Sequence, residues 1–314
     1  MEKLKIAITQ GNYNGTTYDI LLRACEDPSM MELCTPIVYG SSKHALAYRK
    51  ALNVATNFLT TGSAEGASAD KLTILNVAEG TSEVAFGQTT ADSIEQERVS
   101  MQAALDDCQR EAVDAVVLAP ATEQPACPPD ATELILAGSV AIMSQDDAPT
   151  AEIVEAFRNI LDRDFDIPTP RIAIVQDSRF LETDFAERVT EEKGINTYGP
   201  YTSDQFVEGE LKFHFDGIIV IGDPSLSLHL AKQMTPEALV RYLAGRDMVV
   251  TGVCEPADMH HSGKGVADCT LLTAPVFAAI DIVRRRAFYD EARENPLPKL
   301  YRDKREDRRT NVGA

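Results

Sequence analysis

The sequence has no long hydrophobic run, and this absence excludes several kinds of protein. No segment approaches the roughly 18 consecutive apolar residues of a membrane-spanning helix. The N-terminal segment MEKLKIAITQG offers only Ile6, Ala7 and Ile8 as an apolar stretch, which is too short for the core of a secretory signal peptide. We therefore expect a cytoplasmic protein without a membrane partner.

Basic residues are also scarce. The chain has 30 Lys and Arg against 49 Asp and Glu, so its formal net charge is −19. Surfaces that bind nucleic acid are rich in positive charge, because they neutralise phosphates. We therefore expect no nucleic-acid partner. An anionic small molecule can bind only where local donors overcome the surrounding negative field.

Cysteine and histidine do not occur in the spacings of a metal or nucleophile site. The six cysteines are dispersed without a CxxC pair, and the five histidines never form HxxxH or HExxH. Such cysteines are typical of reduced thiols in a cytosolic protein. The sequence also contains no GxSxG segment, so it predicts neither a zinc site of the common kinds nor a nucleophile elbow.

The chain is long enough for about two domains, and short β-branched runs alternate along it with segments of helical periodicity. The predicted strands are Lys5–Thr9, Pro36–Tyr39, Val113–Leu118, Val140–Met143, Ile172–Val175, Gly217–Ile221 and Met248–Val253. The predicted helices are Thr17–Cys25, Ser41–Leu52, Ser93–Cys108, Thr150–Leu161, Glu182–Glu192 and Ala267–Arg286. This alternation predicts an α/β protein with a largely parallel sheet covered on both faces.

Two regions depart from this pattern. Residues 53–92 contain a Gly/Ser/Ala-rich loop and the short runs Leu72–Val77 and Val84–Gln88, which we interpret as an antiparallel excursion or arm. Residues 295–314 are rich in proline and charge. They favour a solvated tail, with a contact to an anion or partner as the alternative.

The first loop that could bind a ligand is Gly11–Asp19, between the first strand and the first helix. In open α/β sheets, ligands bind beyond the carboxyl ends of strands, where helix N-termini present free N–H groups. The spacing matches neither GxGxxG nor the Walker P-loop. A plain turn and a ligand-facing loop both remain open.

The second such loop is Glu255–Asp268, which follows the last predicted strand. Its residues Ser262, Gly263, Lys264 and Gly265 could turn their backbone N–H groups toward an anion. His260 and His261 are adjacent, so their side chains diverge on any regular element. One of them could contact a ligand, but a metal pair is not expected.

Several segments, in order along nearly the whole chain, resemble the PdxA family of NAD-dependent 4-hydroxythreonine-4-phosphate dehydrogenases. They are KIAITQGNYNGTTYDILLRACEDPSMMELCTPIVYGS, VDAVVLAP, PPDATE, FDGIIVIGD and HHSGKGVADCTLLTAPVFAAIDI. The resemblance implies the isocitrate/isopropylmalate-dehydrogenase-like architecture, in which two α/β domains flank a cleft. It also implies a homodimer whose partner subunit completes each site.

The resemblance suggests domain limits and cofactors as well. Residues 1–125 and 265–314 would form one domain, and residues 126–264 would form a second that also serves dimerisation. The family uses NAD and a divalent metal in pyridoxal phosphate synthesis. Its cofactor would contact the loop Ser262–Gly265.

The family's metal-binding histidines are replaced in this chain. Asp146 and Glu255 align with two of the family's metal-binding histidines. Asp223 aligns, with a shift of one residue, with an aspartate that the partner subunit supplies in the family. These three carboxylates could form an all-oxygen site, which would suit Mg²⁺ or Mn²⁺.

The resemblance also assigns substrate contacts, some of them altered. Thr132, Gly11 and Gly15 keep their family identity as substrate-binding residues, whereas the histidine before Thr132 is Ala131 and a family lysine is Glu123. Three hypotheses remain open: a dehydrogenase with an altered metal site or substrate, a catalytically eroded dimer with a binding or regulatory role, and an enzyme of different chemistry that still holds a nucleotide.

Overall fold

The structure is a computed structural model that describes residues 3–26, 28–77, 83–146, 149–176, 184–208, 211–222, 224–235 and 238–294. Its strands are β1 (Leu4–Thr9), β2 (Cys34–Gly40), β3 (Phe58–Thr61), β4 (Leu72–Asn76), β5 (Ala115–Leu118), β6 (Thr132–Ala137), β7 (Val140–Gln145), β8 (Ile172–Gln176), β9 (Thr197–Tyr201), β10 (Gly217–Ile221), β11 (Val240–Ala244) and β12 (Val249–Val253). Its helices are α1 (Thr17–Ala24), α2 (Pro28–Leu33), α3 (Ser42–Leu52), α4 (Ala91–Gln109), α5 (Ala151–Phe165), α6 (Phe185–Lys193), α7 (Ser203–Glu208), α8 (Pro224–Met234) and α9 (Thr270–Glu294).

The described strands form one sheet of twelve, in the order β3-β4-β2-β1-β5-β12-β11-β6-β7-β10-β8-β9. The first six of that order are mutually parallel, and so are the last four. Between them β11 is antiparallel to both neighbours, and β6 is antiparallel to β7. Consequently the carboxyl ends of β1, β5 and β12 lie along one border of the sheet, which runs across the strands and is called here the β1 edge. The carboxyl ends of β7, β10 and β8 lie along the opposite border, called the β10 edge. Neither term refers to the outermost strands.

Neighbouring residues of the strands point to opposite faces, and both faces are buried. On one face a single hydrophobic core runs through both halves of the sheet, from Ile6 to Ile219. On the other face the core is in two parts, one around Ala7 and one around Ile218. The predicted largely parallel α/β sheet is confirmed, whereas the division into two domains stays a prediction. None of the described helices is long and apolar enough to cross a membrane.

The prediction of an antiparallel arm over residues 53–92 is wrong where this segment forms strands. β3 pairs in parallel with β4, and β4 pairs in parallel with β2, so the segment extends the sheet by two strands. The crossover between them contains only a 3-10 turn, Ala64–Gly66, and no α-helix. Parallel strands are usually connected through a helix. The loop rich in small residues has no helical periodicity, and for this reason the connection was predicted to be antiparallel. The run Val84–Gln88 forms no strand.

Other differences concern strands with weak sequence signals and residues outside the described ranges. The pattern missed β3, β6, β9 and β11. In β11 a charged residue, Arg241, interrupts the apolar run. Helix α9 extends eight residues beyond the predicted end at Arg286. The predicted start of a helix at Glu182 and the predicted tail over residues 295–314 lie outside the described residues.

A buried polar network joins α9, α5 and β11. Arg286 of α9 donates from Nε to Asp164 Oδ1 at 2.6 Å and from Nη2 to the Tyr242 hydroxyl at 2.7 Å. That hydroxyl donates in turn to Asp164 Oδ2 at 2.5 Å. The Arg286 and Asp164 side chains are only 7% and 2% exposed. The ion pair is therefore shielded from water and holds the long C-terminal helix against the sheet.

Candidate functional site

Three loops meet at the β1 edge, because β1, β5 and β12 are parallel and adjacent in the sheet. They are residues 10–16 after β1, residues 119–126 after β5, and residues 254–268 after β12. The first and third are the loops that the sequence singled out. The fold therefore places both predicted ligand loops at one end of the sheet.

The loop after β1 is a buried turn held by its own asparagines. Residues 10–17 are all buried. Asn12 Oδ1 accepts a hydrogen bond from the Asn14 N–H at 2.9 Å, and Asn14 Oδ1 accepts one from the Ala85 N–H at 2.8 Å. Gly11 has φ of +54° and packs directly against the carbonyl of Pro120 in the loop after β5. Most of this loop faces protein, as a plain βα turn would.

The loop after β12 is fastened to the first loop. The Ser262 hydroxyl donates to the Asn14 carbonyl at 2.7 Å and lies 2.7 Å from the Tyr48 hydroxyl. Tyr48 also contacts the Gly15 carbonyl, at 2.5 Å. All of these side chains are buried. Their contacts make the two loops one packed unit.

Two backbone N–H groups of the predicted anion-binding segment, Ser262–Gly265, already donate hydrogen bonds within the chain. The Gly265 N–H donates to Asp19 Oδ2 at 2.9 Å, and the Lys264 N–H donates to the His261 carbonyl at 3.1 Å. Asp19 is fully buried and lies 3.6 Å from Arg23. One carboxylate of this chain therefore sits where an external anion would have met Gly265. The assignment of Ser262–Gly265 to a cofactor stays a prediction.

The neighbouring histidines do not converge. His261 Nδ1 lies 2.6 Å from Asp258 Oδ2, and both side chains are exposed. The hydrogen bond from His261 holds the pKa of Asp258 below its ordinary value. His260 contributes its backbone N–H to Asp258 Oδ1 at 2.9 Å. The two histidines thus belong to a surface turn around Asp258, which His261 contacts with its side chain and His260 with its backbone.

Tyr48→Phe tests the contact between the two loops. We expect a loss of about 1 kcal/mol of unfolding free energy at pH 7, since one net hydrogen bond is removed. Burial raises the pKa of Tyr48, whereas an unfolded tyrosine ionises near pH 10. Above pH 10 the unfolded wild type loses this proton first, so its stability falls by about 1.4 kcal/mol per pH unit from this group.

The phenylalanine variant lacks that alkaline contribution, so the difference between the two proteins should shrink as pH rises from 10 to 11. Urea denaturation at pH 7, 10 and 11 measures this difference. Tyr198→Phe is the matched control, because Tyr198 is 42% exposed. A difference that does not change with pH would contradict the burial of the Tyr48 phenol.

A pocket of 560 Å³ opens at the β1 edge, between α4 and the loops after β1 and β5. From β1 the chain adds β2 and β4 on one side of β1, whereas the later strand β5 pairs with β1 on its other side. The direction in which strands are added therefore reverses between β1 and β5. Open α/β sheets bind ligands at such a reversal. Thr9, Gly11 and Leu118 line the pocket from the strand ends.

The wall that α4 contributes carries a half-buried carboxylate, Glu97. Its Oε1 accepts from the Thr122 hydroxyl at 2.5 Å, and its Oε2 accepts from the Thr122 N–H at 3.0 Å. Asn12 Nδ2 donates to the same hydroxyl at 2.6 Å. Burial raises the pKa of Glu97 despite these donors. Glu97 and Thr122 were not predicted from the sequence, because neither belongs to a recognisable motif. Perturbed carboxylates in clefts are typical of functional sites.

Two other predicted site residues lie at the β10 edge. Thr132 begins β6, and Asp146 follows β7. Leu134 pairs with Met143, so Thr132 lies level with the residue before Asp146 on the neighbouring strand. The structure therefore brings Thr132 and Asp146 to adjacent strand ends. It does not bring Thr132 near Gly11 and Gly15, from which it is separated by four strand spacings, about 19 Å, and by the width of the sheet.

Glu255 lies at the β1 edge. Its Oε1 is 3.8 Å from Lys232 Nζ, and its Oε2 is buried without a hydrogen-bond partner. Asp146 is therefore at the opposite edge of the sheet, and Asp223 lies outside the described residues. Among the residues that the structure describes, no three of His, Cys, Asp and Glu are grouped to hold a metal ion. The described part of one chain does not assemble the predicted carboxylate site.

A buried arginine that the sequence analysis missed lies where the core of one face is divided. Arg241 of β11 is 5% exposed and donates from Nη2 to the Pro125 carbonyl at 2.7 Å and to Glu133 Oε2 at 2.6 Å. Its Nε and Nη1 are buried without a hydrogen-bond partner. A charge inside an apolar strand was the available sequence signal. Glu123 and Ala131, at altered family positions, lie in the same connection between β5 and β6, Glu123 at the rim of the pocket.

Comparison with known proteins relates the chain to a family. No family model matches the sequence. A 4-hydroxythreonine-4-phosphate dehydrogenase from Bacteroides thetaiotaomicron is 31% identical over 349 aligned positions, which cover 97% of this chain and 96% of the relative.

Solved structures show the same fold. A 4-hydroxythreonine-4-phosphate dehydrogenase from Burkholderia phymatum superposes with a TM-score of 0.68 at 17% identity, covering 90% of this chain and 99% of that one. The enzyme of that name from Klebsiella pneumoniae gives 0.70 at 13% identity, covering 90% and 100%. An isocitrate dehydrogenase from Methylococcus capsulatus gives 0.50 at 10% identity, covering 90% and 87%. The expected isocitrate/isopropylmalate-dehydrogenase-like fold is confirmed. Because the 31% identity extends over nearly the whole of both chains, this protein belongs to the family of the 4-hydroxythreonine-4-phosphate dehydrogenases.

Proposed function

We propose that the chain is an NAD-dependent oxidoreductase that oxidises 4-hydroxythreonine 4-phosphate or a closely similar phosphorylated hydroxy acid, as a step toward pyridoxal phosphate. The observation that carries the proposal is the full-length relationship to the Bacteroides dehydrogenase. The pocket beside β1 and β5 agrees with it, since it lies where α/β sheets of this kind bind ligands.

A homodimer is part of the proposal. Thr132 and Asp146 lie at the β10 edge, whereas Gly11, Gly15 and Glu255 lie at the β1 edge. A substrate site that used both sets of residues would therefore have to combine edges of two chains. A carboxylate site for Mg²⁺ or Mn²⁺ from Asp146, Asp223 and Glu255 would need the same arrangement.

A second candidate function is small-molecule binding without turnover. One observation favours it: Glu123, a carboxylate, replaces a family lysine at the rim of the pocket. This change weakens the attraction for a phosphate through the repulsion of like charges.

The deciding experiment follows NADH formation at 340 nm from 4-hydroxythreonine 4-phosphate, with purified protein and Mg²⁺, Mn²⁺ or Zn²⁺ in turn. We expect metal-dependent turnover that falls at least tenfold in Asp146→Ala and in Glu255→Ala. Asp70→Ala is the control, because Asp70 is an exposed carboxylate paired with Lys3. Folded, dimeric protein that shows no turnover with any metal would favour the binding role.

A further inference from the structure

We propose that the 560 Å³ pocket between α4 and the loop after β5 is a binding site for a small organic amine, whose ammonium group pairs with Glu97. The ligand class is an apolar body that carries one positive charge. The inference goes beyond the proposed function and does not depend on it, because neither the dehydrogenase reaction nor a phosphorylated substrate enters the argument.

One wall of the pocket is a single stripe of α4. Ile94, Glu97, Arg98 and Met101 line it at intervals of three and four residues, which bring side chains to one face of a helix. Ile94 is 49% exposed although it is a large hydrophobic residue. An apolar body laid along this stripe would cover surface that now faces water. The volume of 560 Å³ falls in the usual range of small-molecule pockets.

The opposite wall is the loop after β5, which is fastened to elements other than α4. The Pro125 carbonyl accepts a hydrogen bond from Arg241 Nη2 of β11 at 2.7 Å. The Ala121 carbonyl accepts one from the Ala257 N–H, in the loop after β12, at 2.8 Å. The wall is therefore held in place before a ligand arrives, and binding does not have to order it.

Glu97 is the half-buried charge of the pocket. Thr122 donates to both of its carboxylate oxygens, once from the hydroxyl and once from the N–H. A carboxylate offers about four acceptor positions, so about two remain for a ligand. The carboxylate is thus a positioned acceptor for an ammonium group, and such charge-assisted hydrogen bonds are stronger than neutral ones.

The remaining charges of the described lining also favour a cation. Glu123 adds a second carboxylate at the rim. Arg98 is paired with Glu95 at 2.6 Å, and both of these side chains are more than half exposed. The net charge of the chain is −19. This field attracts a positive ligand and repels a phosphate.

An inorganic cation fits the pocket less well than an organic one. Divalent metal ions need several oxygen ligands at close range, and no three acidic, cysteine or histidine side chains are grouped to hold a metal ion in the part of the chain that the structure describes. One fixed carboxylate beside apolar side chains suits a single ammonium group on an apolar body.

The test uses tryptamine, tryptophol and indole-3-acetate, which share one ring and carry a positive, a neutral and a negative group. The chain has no tryptophan, so indole fluorescence excited where tyrosine does not absorb reports the ligand alone. Titration of the full chain at pH 7 should give tryptamine a Kd about tenfold below that of tryptophol, the value of one charge-assisted hydrogen bond. Indole-3-acetate should bind most weakly.

The variants locate the charge. Glu97→Gln should raise the Kd of tryptamine about tenfold and that of tryptophol by less than about twofold, because the apolar walls remain. Glu123→Gln, at the exposed rim, should weaken tryptamine by less than about threefold. Asp106→Asn is the matched control, since it removes an exposed carboxylate of the same helix outside the pocket lining.

Equal Kd values for the three indoles, or no binding of tryptamine, would overturn the proposal. So would an equal loss for tryptamine and tryptophol in Glu97→Gln, which would mean that Glu97 only supports the wall. Circular dichroism of each variant establishes that a lost preference does not reflect unfolding. Amine binding that depends on Glu97 in a protein that forms no NADH would support this site and refute only the dehydrogenase, so the two proposals fail separately.

Discussion

Replacing Arg286 by methionine should lower the free energy of unfolding by about 3–5 kcal/mol, because the change leaves a buried carboxylate without its partner. Asp164 is 2% exposed and accepts from Arg286 and from Tyr242. The lost guanidinium also leaves the carbonyls of Arg246 and Asp247 without the donor that they share. Urea denaturation at pH 7 measures the loss.

The matched control is Arg284→Met, which removes an exposed arginine two residues earlier in the same helix. It should change stability by less than about 0.5 kcal/mol. The double variant Arg286→Met with Asp164→Leu should recover part of the loss, since a buried pair can be replaced by apolar side chains at low cost. If the double variant loses the full sum of the single losses, helix packing and not the ion pair holds α9.

Gly11→Ala should cost about 2–5 kcal/mol of stability and disturb the pocket. The residue has φ of +54°, which an L side chain adopts at a cost of about 1–2 kcal/mol. An added Cβ would also overlap the Pro120 carbonyl oxygen, and overpacking of this kind costs about 1–3 kcal/mol. The same carbonyl accepts from the Asn12 N–H at 3.0 Å. The loops after β1 and β5 must therefore move apart.

Two glycines separate the causes. Gly138 has φ of +61° but open space around its Cα, so Gly138→Ala should show the backbone cost alone. Gly62 also has open space and lacks a positive φ, so Gly62→Ala should be nearly neutral. Thermal or urea denaturation should rank the losses as Gly11, then Gly138, then Gly62. Equal losses at Gly11 and Gly138 would mean that the loop after β5 moves away from the added Cβ with no loss of stability.

Most of the sheet could be predicted from the sequence, because its central strands are buried on both faces. Runs such as those of β5 and β10 are continuously apolar and β-branched, which few other structures explain. The strand β3 was not predicted, and the direction of β4 was predicted wrongly, since a period of two is the same for parallel and antiparallel strands. β11 was missed because a charged residue such as Arg241 indicates an exposed position. In the fold Arg241 is buried, and it donates to the Pro125 carbonyl and to Glu133.

The candidate site was predictable only in part. Both glycine-containing loops could be recognised, because each follows a predicted strand and precedes a helix. Their mutual contacts, such as Ser262 with Asn14, link residues 248 positions apart, which no local pattern reveals. Glu97 is one of several acidic residues on α4. Its partial burial in the pocket wall and its bonds to Thr122 distinguish it from its exposed neighbour Glu95.

The sequence by itself determined the class of fold and the family, because hydrophobic periodicity and ordered motifs are properties of the chain alone. Tertiary structure decided which groups share an edge of the sheet. It placed Thr132 and Asp146 at one edge and Gly11 and Glu255 at the other, and it filled part of a predicted anion site with Asp19. The reason is physical: strand direction and hydrogen-bond satisfaction depend on neighbours that are distant in sequence, and these are chosen only when the sheet is assembled.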